Sequence, residues 1–210
     1  MNLIPAEEEV MGLLRQTGAL REGHFECLNG LHTNKYLDIA LAMRNFAIAK
    51  VLSVGLSRRL REHHDLRAMA SELSIVAATT GGLPIAFGLC EALRARQVYW
   101  AERGESGVLR FRQYLEQTPG EKVVLVDDIL RAGRVLGETR TLLEANGAHV
   151  LAIAVAVHQP TPRTADFGTL PVYSLAKLQA SYYADPGLCD LCRAGVPLVR
   201  TGPAAAAVAA

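Results

Sequence analysis

Residues 122–136 read Lys-Val-Val-Leu-Val-Asp-Asp-Ile-Leu-Arg-Ala-Gly-Arg-Val-Leu, and this stretch decides the fold. Residues 123–126 are apolar and three of the four are β-branched, which is typical of a strand buried on both faces. Asp127 and Asp128 follow where that strand would leave the sheet, and a turn at Gly133 leads into a helical pattern. In open α/β sheets ligands bind outside the carboxyl ends of the strands. The stretch therefore predicts a binding site, the alternative being an ordinary loop with two solvated acids.

Composition limits the kind of protein. The chain has 210 residues, is 50% hydrophobic and 20% charged, and carries a formal net charge of +1. This suffices for one α/β domain, and the near-neutral charge argues against a nucleic-acid-binding surface. No run approaches the about 18 apolar residues of a membrane span, and residues 1–10 lack the basic start of a secretory signal. With four cysteines, we expect a cytoplasmic protein with no membrane or nucleic-acid partner, one domain over residues 1–203 and a disordered Ala-rich tail at 204–210.

Periodicity along the chain predicts the order of the elements. Helices are predicted at residues 6–17, 46–63, 83–94 and 136–146, and strands at 73–78, 97–101, 123–126, 150–157 and 173–175, the last followed by a helical segment rich in Leu and Ala. This alternation favours an α/β fold with a mostly parallel five-stranded sheet and helices on both faces. Asn29-Gly30 predicts a hairpin between strands at 24–28 and 35–39, which would form a small N-terminal hood over residues 18–40. Residues 102–114 are interpreted as a mobile loop or hairpin.

Two loops have the chemistry of an anion site. Paired acids at a strand end accept hydrogen bonds from vicinal hydroxyls, or hold a divalent cation. Backbone amides at 132–135, at the start of a helix, attract a phosphate through their unpaired N–H groups and the helix dipole. The loop Thr79-Thr80-Gly81-Gly82 is a second glycine turn that enters a helix, suited to a further phosphate or pyrophosphate. Together the loops indicate a receptor for a ribose 5-phosphate.

These motifs resemble a known family. Residues 123–136 resemble the signature that binds 5-phosphoribosyl 1-pyrophosphate (PRPP) in type I phosphoribosyltransferases, and the whole chain is most similar to the orotate phosphoribosyltransferases. The resemblance extends from about residue 10 to 198. The stretches that carry it are residues 17–20, 22–25 and 29–32 in the hood, 101–103 with Gly107 in the flexible loop, 119–123 before the signature, and 189–198 near the C-terminus.

The resemblance implies an activity and a set of site residues. It implies a glycosyltransferase of pyrimidine biosynthesis that moves the 5-phosphoribosyl group of PRPP to orotate or a related base and releases pyrophosphate, with Mg²⁺ as cofactor and a homodimeric assembly. Asp127 and Asp128 would meet the ribose hydroxyls, and Arg103 would supply positive charge to the leaving pyrophosphate. The other implied contacts are Tyr36 against the base, Thr79, Thr80, Gly81 and Gly82 facing the pyrophosphate, and Arg131, Ala132, Gly133, Arg134 and Val135 around the 5-phosphate.

The chain departs from the family pattern in the phosphate loop. The family usually has Thr-Thr-Gly followed one residue later by Ser or Thr, whereas this chain has Arg131-Ala132-Gly133 and Val135. Three hydroxyl donors are therefore missing, and Arg131 or Arg134 is expected to provide a charged contact instead. The departure leaves open an alternative function, a catalytically impaired member that binds a nucleotide or sugar phosphate and acts in regulation.

One further motif stands apart from the ribose-phosphate site. Cys189 and Cys192 have the spacing of a zinc knuckle, but the other two cysteines lie far off in sequence and do not complete a second half. The pair is interpreted either as half of a zinc site or as two reduced thiols, and no metal ligated directly by side chains is expected elsewhere. His24 and His32 of the hood are either substrate contacts or histidines satisfied within their turn.

Overall fold

The computed structural model describes residues 4–111 and 119–201. Its helices are α1 (Glu7–Gln16), α2 (Ile39–Met43), α3 (Phe46–Arg61), α4 (His64–Ala68), α5 (Leu83–Leu93), α6 (Arg134–Ala145) and α7 (Asp190–Arg193). Its strands are β1 (Leu20–Glu26), β2 (His32–Leu37), β3 (Ser74–Ala77), β4 (Gln97–Arg103), β5 (Leu109–Phe111), β6 (Lys122–Leu130), β7 (His149–His158), β8 (Val172–Lys177), β9 (Tyr182–Tyr183) and β10 (Leu198–Arg200).

The central sheet has six strands in the order β5-β4-β3-β6-β7-β8. Strands β4, β3, β6, β7 and β8 run parallel to their neighbours, and β5 closes an antiparallel hairpin with β4. The predicted mostly parallel sheet is thus confirmed, with five parallel strands and one short antiparallel strand at its edge. That edge strand settles the predicted loop or hairpin in favour of a hairpin, while residues 112–118 lie outside the described part of the chain.

Strand β6 is buried on both faces, as predicted. Val124 and Val126 point into an apolar cluster that they share with α1 to α5, and Val123 and Leu125 point into a second cluster with α6. All four side chains have 0% exposure. Because successive side chains of a strand point to opposite faces, only an uninterrupted apolar run fills both clusters. Helices therefore cover both faces, five on one and α6 on the other.

The hood is a separate four-stranded sheet in the order β10-β1-β2-β9. Its antiparallel β1–β2 hairpin turns at Gly30, whose φ of +78° is the left-handed conformation that the Asn-Gly pair predicted. The two outer strands, β10 and β9, come from the end of the chain, and β10 pairs parallel to β1. The sequence pattern located the hairpin and missed these two short strands.

The helical segment predicted after residue 175 is wrong. Strand β8 continues to Lys177, and the Leu178 amide N–H donates to the His158 carbonyl oxygen at 2.9 Å, which extends the ladder. Leu175, Ala176 and Leu178 are buried from extended backbone, so their apolar character reflects the sheet and not a helix face. Across the described residues, no helix combines the length and the apolar character needed to span a bilayer. The tail predicted at 204–210 lies outside the described residues.

Candidate active site

The paired acids lie inside the sheet and not in the loop after it. Strand β6 runs on to Leu130, and Asp127 keeps its ladder position opposite Val155 of β7. The neighbouring strand β3 already ends at Ala77, so β6 outlasts it by several residues. The predicted end of the strand at residue 126 was therefore too early. The consequence is that both carboxyl groups are carried by rigid backbone at the carboxyl edge of the sheet.

The glycine loop packs directly against these acids. The Thr79 hydroxyl donates to Asp127 Oδ1 at 2.6 Å, and the Gly82 amide donates to the Thr79 carbonyl oxygen at 3.2 Å. A Cβ atom at Gly82 would lie 3.0 Å from Asp127 Cα, and one at Gly81 would lie 3.2 Å from Oδ2 of Asp128. The close approach explains why both positions are glycine. The structure thus brings together two loops that lie almost fifty residues apart in the chain.

Burial makes the two acids costly to ionise together. Asp127 is 6% exposed, and burial, reinforced by the neighbouring charge of Asp128, raises its pKa to about 7. Burial also raises the pKa of Asp128, although the Ile129 amide N–H and the Arg131 guanidinium oppose that shift. Two adjacent carboxyl groups held in this state are receptive to hydroxyl donors or to a cation, either of which stabilises the charged form.

The phosphate loop ends in a left-handed glycine at the N-terminus of α6. Gly133 has φ of +73°, and a Cβ atom there would lie 2.9 Å from the Phe167 ring, so both conformation and space require glycine. The Thr164 hydroxyl fixes the loop by donating to the carbonyl oxygen of Arg131 at 2.6 Å. The amides of residues 134–136, in the first turn of α6, have no acceptor within the helix. Their N–H groups and the helix dipole make this end of α6 a site for an anion.

The Arg131 side chain points to the hood. Its guanidinium donates to the carbonyl oxygen of Leu37 in β2 at 2.5 Å and to the amide oxygen of Gln159 at 2.8 Å. Gln159 is 1% exposed, so Arg131 satisfies a buried polar group while it ties the phosphate loop to the hood. The sequence singled out Arg131 and missed Gln159, which no motif marks.

Comparisons with known proteins agree with this geometry. No family model matches the chain. The orotate phosphoribosyltransferase of Carboxydothermus hydrogenoformans is 34% identical over 190 residues, which cover 90% of this chain and 94% of the relative. That of Thermotoga maritima is 32% identical over 190 residues, 90% of this chain and 95% of the relative. The chain belongs to the orotate phosphoribosyltransferase family.

Solved structures confirm the fold of the family. Orotate phosphoribosyltransferase from Aeropyrum pernix superposes with a TM-score of 0.62 at 22% identity, covering 80% of this chain and 93% of that one. Adenine phosphoribosyltransferase from Thermoanaerobacter pseudethanolicus superposes with a TM-score of 0.55 at 18% identity, covering 69% and 88%. The resemblance to type I phosphoribosyltransferases that the motifs indicated is therefore confirmed, for the family and for the fold.

In this member of the orotate phosphoribosyltransferase family, Arg103 is held by α6. Arg103 is the last residue of β4; its guanidinium donates to the Gly107 carbonyl oxygen at 2.9 Å and forms an ion pair with Glu138. Arg134 Nη1 also lies 3.4 Å from Glu138 Oε1. Glu138 thus contacts two of the predicted site arginines from within the helix that carries the phosphate loop. Its spacing of four residues from Arg134 was the signal available in the sequence.

Tyr36 lies on the hood with its own partners. Its ring centroid is 5.7 Å from that of Phe25, and the Arg21 guanidinium carbon sits 4.7 Å from the Tyr36 centroid. Tyr182 of β9, opposite Thr33 of β2, was not marked by the sequence, and its buried hydroxyl has no hydrogen-bond partner within residues 4–111 and 119–201. Burial raises the pKa of Tyr182, and the charge of Arg131 opposes that shift. The hood therefore holds one buried polar group whose hydrogen bond is unmade among the described residues.

The two histidines and the two cysteines left open by the sequence meet in one place. His24 and His32 are 2% and 5% exposed, and their rings face Cys189 and Cys192. Within residues 4–111 and 119–201 this is the only group of three or more His, Cys, Asp or Glu side chains arranged to share an ion. The interpretation of the histidines as substrate contacts thus receives no support from their placement, because their ring nitrogens are directed to the cysteines.

Proposed function

We propose that this protein transfers the 5-phosphoribosyl group of PRPP to orotate and releases pyrophosphate. The observation that carries the proposal is the contact between the loop of residues 79–82 and the acids Asp127 and Asp128, beside the N-terminus of α6. In this proposal the two acids bind hydroxyls between two anion-binding loops, which matches the order of the groups in PRPP. The names of the relatives support the same reaction, and they give no support to a member that only binds.

Each part of the site has a role in the proposed reaction. The 2- and 3-hydroxyls of the ribose donate to Asp127 and Asp128, the α6 amides at residues 134–136 hold the 5-phosphate, and the loop amides at 79–82 face the pyrophosphate. The bond from C1 to the pyrophosphate oxygen breaks with its electron pair on that oxygen. C1 takes on oxocarbenium character, and a ring nitrogen of the base forms the new bond while its proton passes to solvent. Such catalysis consists mostly of positioning and charge stabilisation.

The donor set fits Mg²⁺ only together with the substrate. Mg²⁺ prefers oxygen ligands and usually keeps several waters, binding through one or two carboxylates plus substrate phosphates. Asp127, Asp128 and the Thr79 hydroxyl offer such oxygens, and no cluster of three carboxylates is present among the described residues. When bound with PRPP, the ion would neutralise charge on the departing pyrophosphate. The protein's own part is to hold the ribose hydroxyls beside it.

Arg103 and Tyr36 are proposed to contact different substrates: Arg103 the pyrophosphate of PRPP, and Tyr36 the base. Arg103 reaches the leaving pyrophosphate once Glu138 releases it, so the ion pair is the resting position of the loop. Tyr36 is proposed to lie against the base. Arg131 connects the hood to the phosphate loop.

A homodimer and a cytoplasmic location complete the proposal. Phe46, Val51 and Phe87 on the packed helices α3 and α5 are 81%, 38% and 56% exposed, and a second copy would cover such side chains. Sedimentation of the purified protein tests the dimer. The location in the cytoplasm stays a prediction from the cysteine content.

The test of the proposed function is an activity assay with two bases. Orotate and, in parallel, adenine are incubated with PRPP, Mg²⁺ and the protein, and loss of the base is followed together with release of pyrophosphate. We expect orotate to be consumed with one pyrophosphate released for each molecule, and adenine to be unchanged. Consumption of adenine alone would overturn the choice of base. If calorimetry shows PRPP binding but neither base is consumed, the proposed transferase activity is wrong and the protein only binds PRPP.

We predict that PRPP binding does not improve when Arg131 of the phosphate loop is replaced by threonine, the residue that the family usually has there. Arg131→Thr should lower the free energy of unfolding by about 1–3 kcal/mol, because it leaves the buried Gln159 amide oxygen and the Leu37 carbonyl without a donor. Ala132→Thr, at an exposed position, should keep the stability and lower the KM for PRPP several-fold by adding a hydroxyl beside the anion site. Urea unfolding and steady-state kinetics measure both effects.

The two single variants serve as controls for each other. If Arg131→Thr strengthens PRPP binding at unchanged stability, the guanidinium contacts with the hood contribute nothing to stability, and a threonine hydroxyl serves the phosphate better than Arg131 does. If Ala132→Thr has no effect on KM, the amides of α6 alone determine phosphate affinity.

A further inference from the structure

Four metal-ligating side chains converge between the hood and the end of the chain. His24 lies on β1, His32 on β2, and Cys189 and Cys192 lie at the start of α7 and within it. One ligand atom from each lies within 4.8 Å of every other. Three of the four side chains are almost fully buried, with Cys189 at 0% exposure. Residues from opposite ends of the sequence, more than 150 positions apart, thus form one compact group.

Three of the four short distances between these atoms match a tetrahedron around one zinc ion, and the fourth is slightly shorter. His24 Nε2 lies 3.0 Å from His32 Nδ1 and 3.6 Å from each cysteine sulfur, and Cys192 Sγ lies 3.3 Å from His32 Nδ1. Zinc bond lengths place tetrahedral nitrogen and sulfur ligands about 3.3–3.8 Å from one another. We propose that His24, His32, Cys189 and Cys192 bind a structural zinc ion.

The hydrogen bond behind His24 orients its ring for this role. His24 Nδ1 lies 2.8 Å from the carbonyl oxygen of Val196, which only accepts, so Nδ1 carries the proton and Nε2 presents its lone pair to the cluster. Histidines that ligate metals are usually held in this way by a backbone carbonyl. Without an ion, His32 Nδ1–H donates to the lone pair of His24 Nε2, and a shared cation would replace this hydrogen bond with two metal bonds. Binding of Zn²⁺ displaces the two thiol protons to solvent.

The end of the chain has little else to hold it. Of residues 186–200 only Cys189 is buried, Leu191 and Cys192 are half-buried, and the rest are exposed. Strand β10 pairs with β1, yet Leu198 and Val199 remain 39% and 47% exposed. A segment that buries so little apolar surface cannot be ordered by packing alone, and metal ligation supplies the missing stabilisation. The ion therefore connects the hood hairpin to α7 and β10.

The closed ligand set indicates a structural and not a catalytic ion. Two thiolates and two imidazoles fill all four positions of a tetrahedral site, so none is left open for water or substrate. Softness of the sulfur ligands selects zinc over magnesium. The site is thus separate from the Mg²⁺ proposed to accompany PRPP, and it does not depend on the proposed function.

Metal analysis of the purified full-length protein tests the site. We expect one zinc per chain by mass spectrometry of the metals, and the chelated protein to take up Co²⁺ with the ligand-field and thiolate charge-transfer bands of a tetrahedral site. Cys192→Ser should lose most of the zinc, whereas Cys27→Ser and Cys90→Ser, which change cysteines outside the cluster, should keep it. Hydrogen exchange of residues 189–200 should quicken on chelation, while that of β6 and β7 stays slow.

Three outcomes would overturn the proposal. One is a metal-free protein whose reduced thiols bind neither Zn²⁺ nor Co²⁺. Another is a disulfide between Cys189 and Cys192 in protein that contains no metal. The third is equal loss of zinc from Cys192→Ser and Cys27→Ser. Should Cys192→Ser fail to fold, the stoichiometry and the Co²⁺ spectrum of the unaltered protein decide the question.

Discussion

Asp127→Asn should make the protein more stable at pH 8 and much less active. The change removes a carboxyl group that is buried beside a second one, and burial together with Asp128 raises its pKa to about 7. Asparagine has the same shape and keeps an oxygen to accept from the Thr79 hydroxyl. The expected gain in the free energy of unfolding at pH 8 is about 1–3 kcal/mol. The expected loss in kcat/KM for PRPP is about a hundredfold or more, since a ribose hydroxyl loses its charged acceptor.

The gain in the free energy of unfolding of Asp127→Asn should increase with pH. The ordinary pKa of the group is 3.8 and the folded value is about 7, so between these values the folded state holds more protons than the unfolded state. Stability of the unaltered protein therefore falls as pH rises through this window, and the whole cost is present above it. Asp127→Asn should gain most at pH 8 and little at pH 4, as urea unfolding at the two pH values would reveal.

A matched control distinguishes burial from loss of charge in general. Asp65→Asn removes a carboxylate that is 70% exposed on α4, and it should leave activity and the pH dependence of stability unchanged. A gain for Asp127→Asn that is equal at pH 4 and pH 8 would contradict the raised pKa. If the Asp127→Asn enzyme keeps its activity, the Asp127 carboxylate does not bind the ribose.

The parts of the site that the sequence predicted are those made by neighbours in the chain. The apolar run of residues 123–126 was enough to place them in the sheet. The position of Gly133 between strand and helix was enough to predict the turn there. The extent of the strand was misjudged because Asp127 and Asp128 are polar, while the ladder to β7 continues through them. Local pattern predicts which residues lie at the carboxyl edge of the sheet and is weaker on where an element ends.

The parts that the sequence missed depend on contacts between distant residues. Arg131 was expected at the phosphate, yet it donates to Leu37, a residue 94 positions earlier. The pair Cys189 and Cys192 lacked a visible second half because His24 lies 165 positions from Cys189, on a strand of the hood. Neither pairing has the short spacing of a helix turn, a strand repeat or a zinc knuckle, so only the fold brings the residues together. In this chain, the contacts of long polar side chains and of hood residues are therefore the hardest to predict from the sequence.

Gly82→Ala should lower kcat/KM for PRPP by about a hundredfold, because the contact that it disturbs has no room to adjust. Its Cβ atom would lie 3.0 Å from Asp127 Cα and Oδ1 and 3.2 Å from the Val126 carbonyl oxygen. Two of these three atoms belong to the backbone of the central strand β6, so the loop and not the strand must move. The backbone of Gly82, with φ of −75° and ψ of −14°, is one that alanine adopts freely, which makes the effect steric. Steady-state kinetics with PRPP as the varied substrate measures it.

Alanine substitutions at two other glycines should give smaller effects. Gly81→Ala would place its Cβ atom 3.2 Å from Asp128 Oδ2, the end of a side chain that can rotate, so we expect a smaller loss of about tenfold. Gly137→Ala on α6 meets nothing within 4 Å and should keep full activity while it stabilises the helix. Equal losses for Gly82→Ala and Gly137→Ala would contradict the assignment of the loss to the contact between the glycine loop and strand β6. The graded order would instead tie activity to the separation between the glycine loop and the two acids, which is the dimension of the site that PRPP must fit.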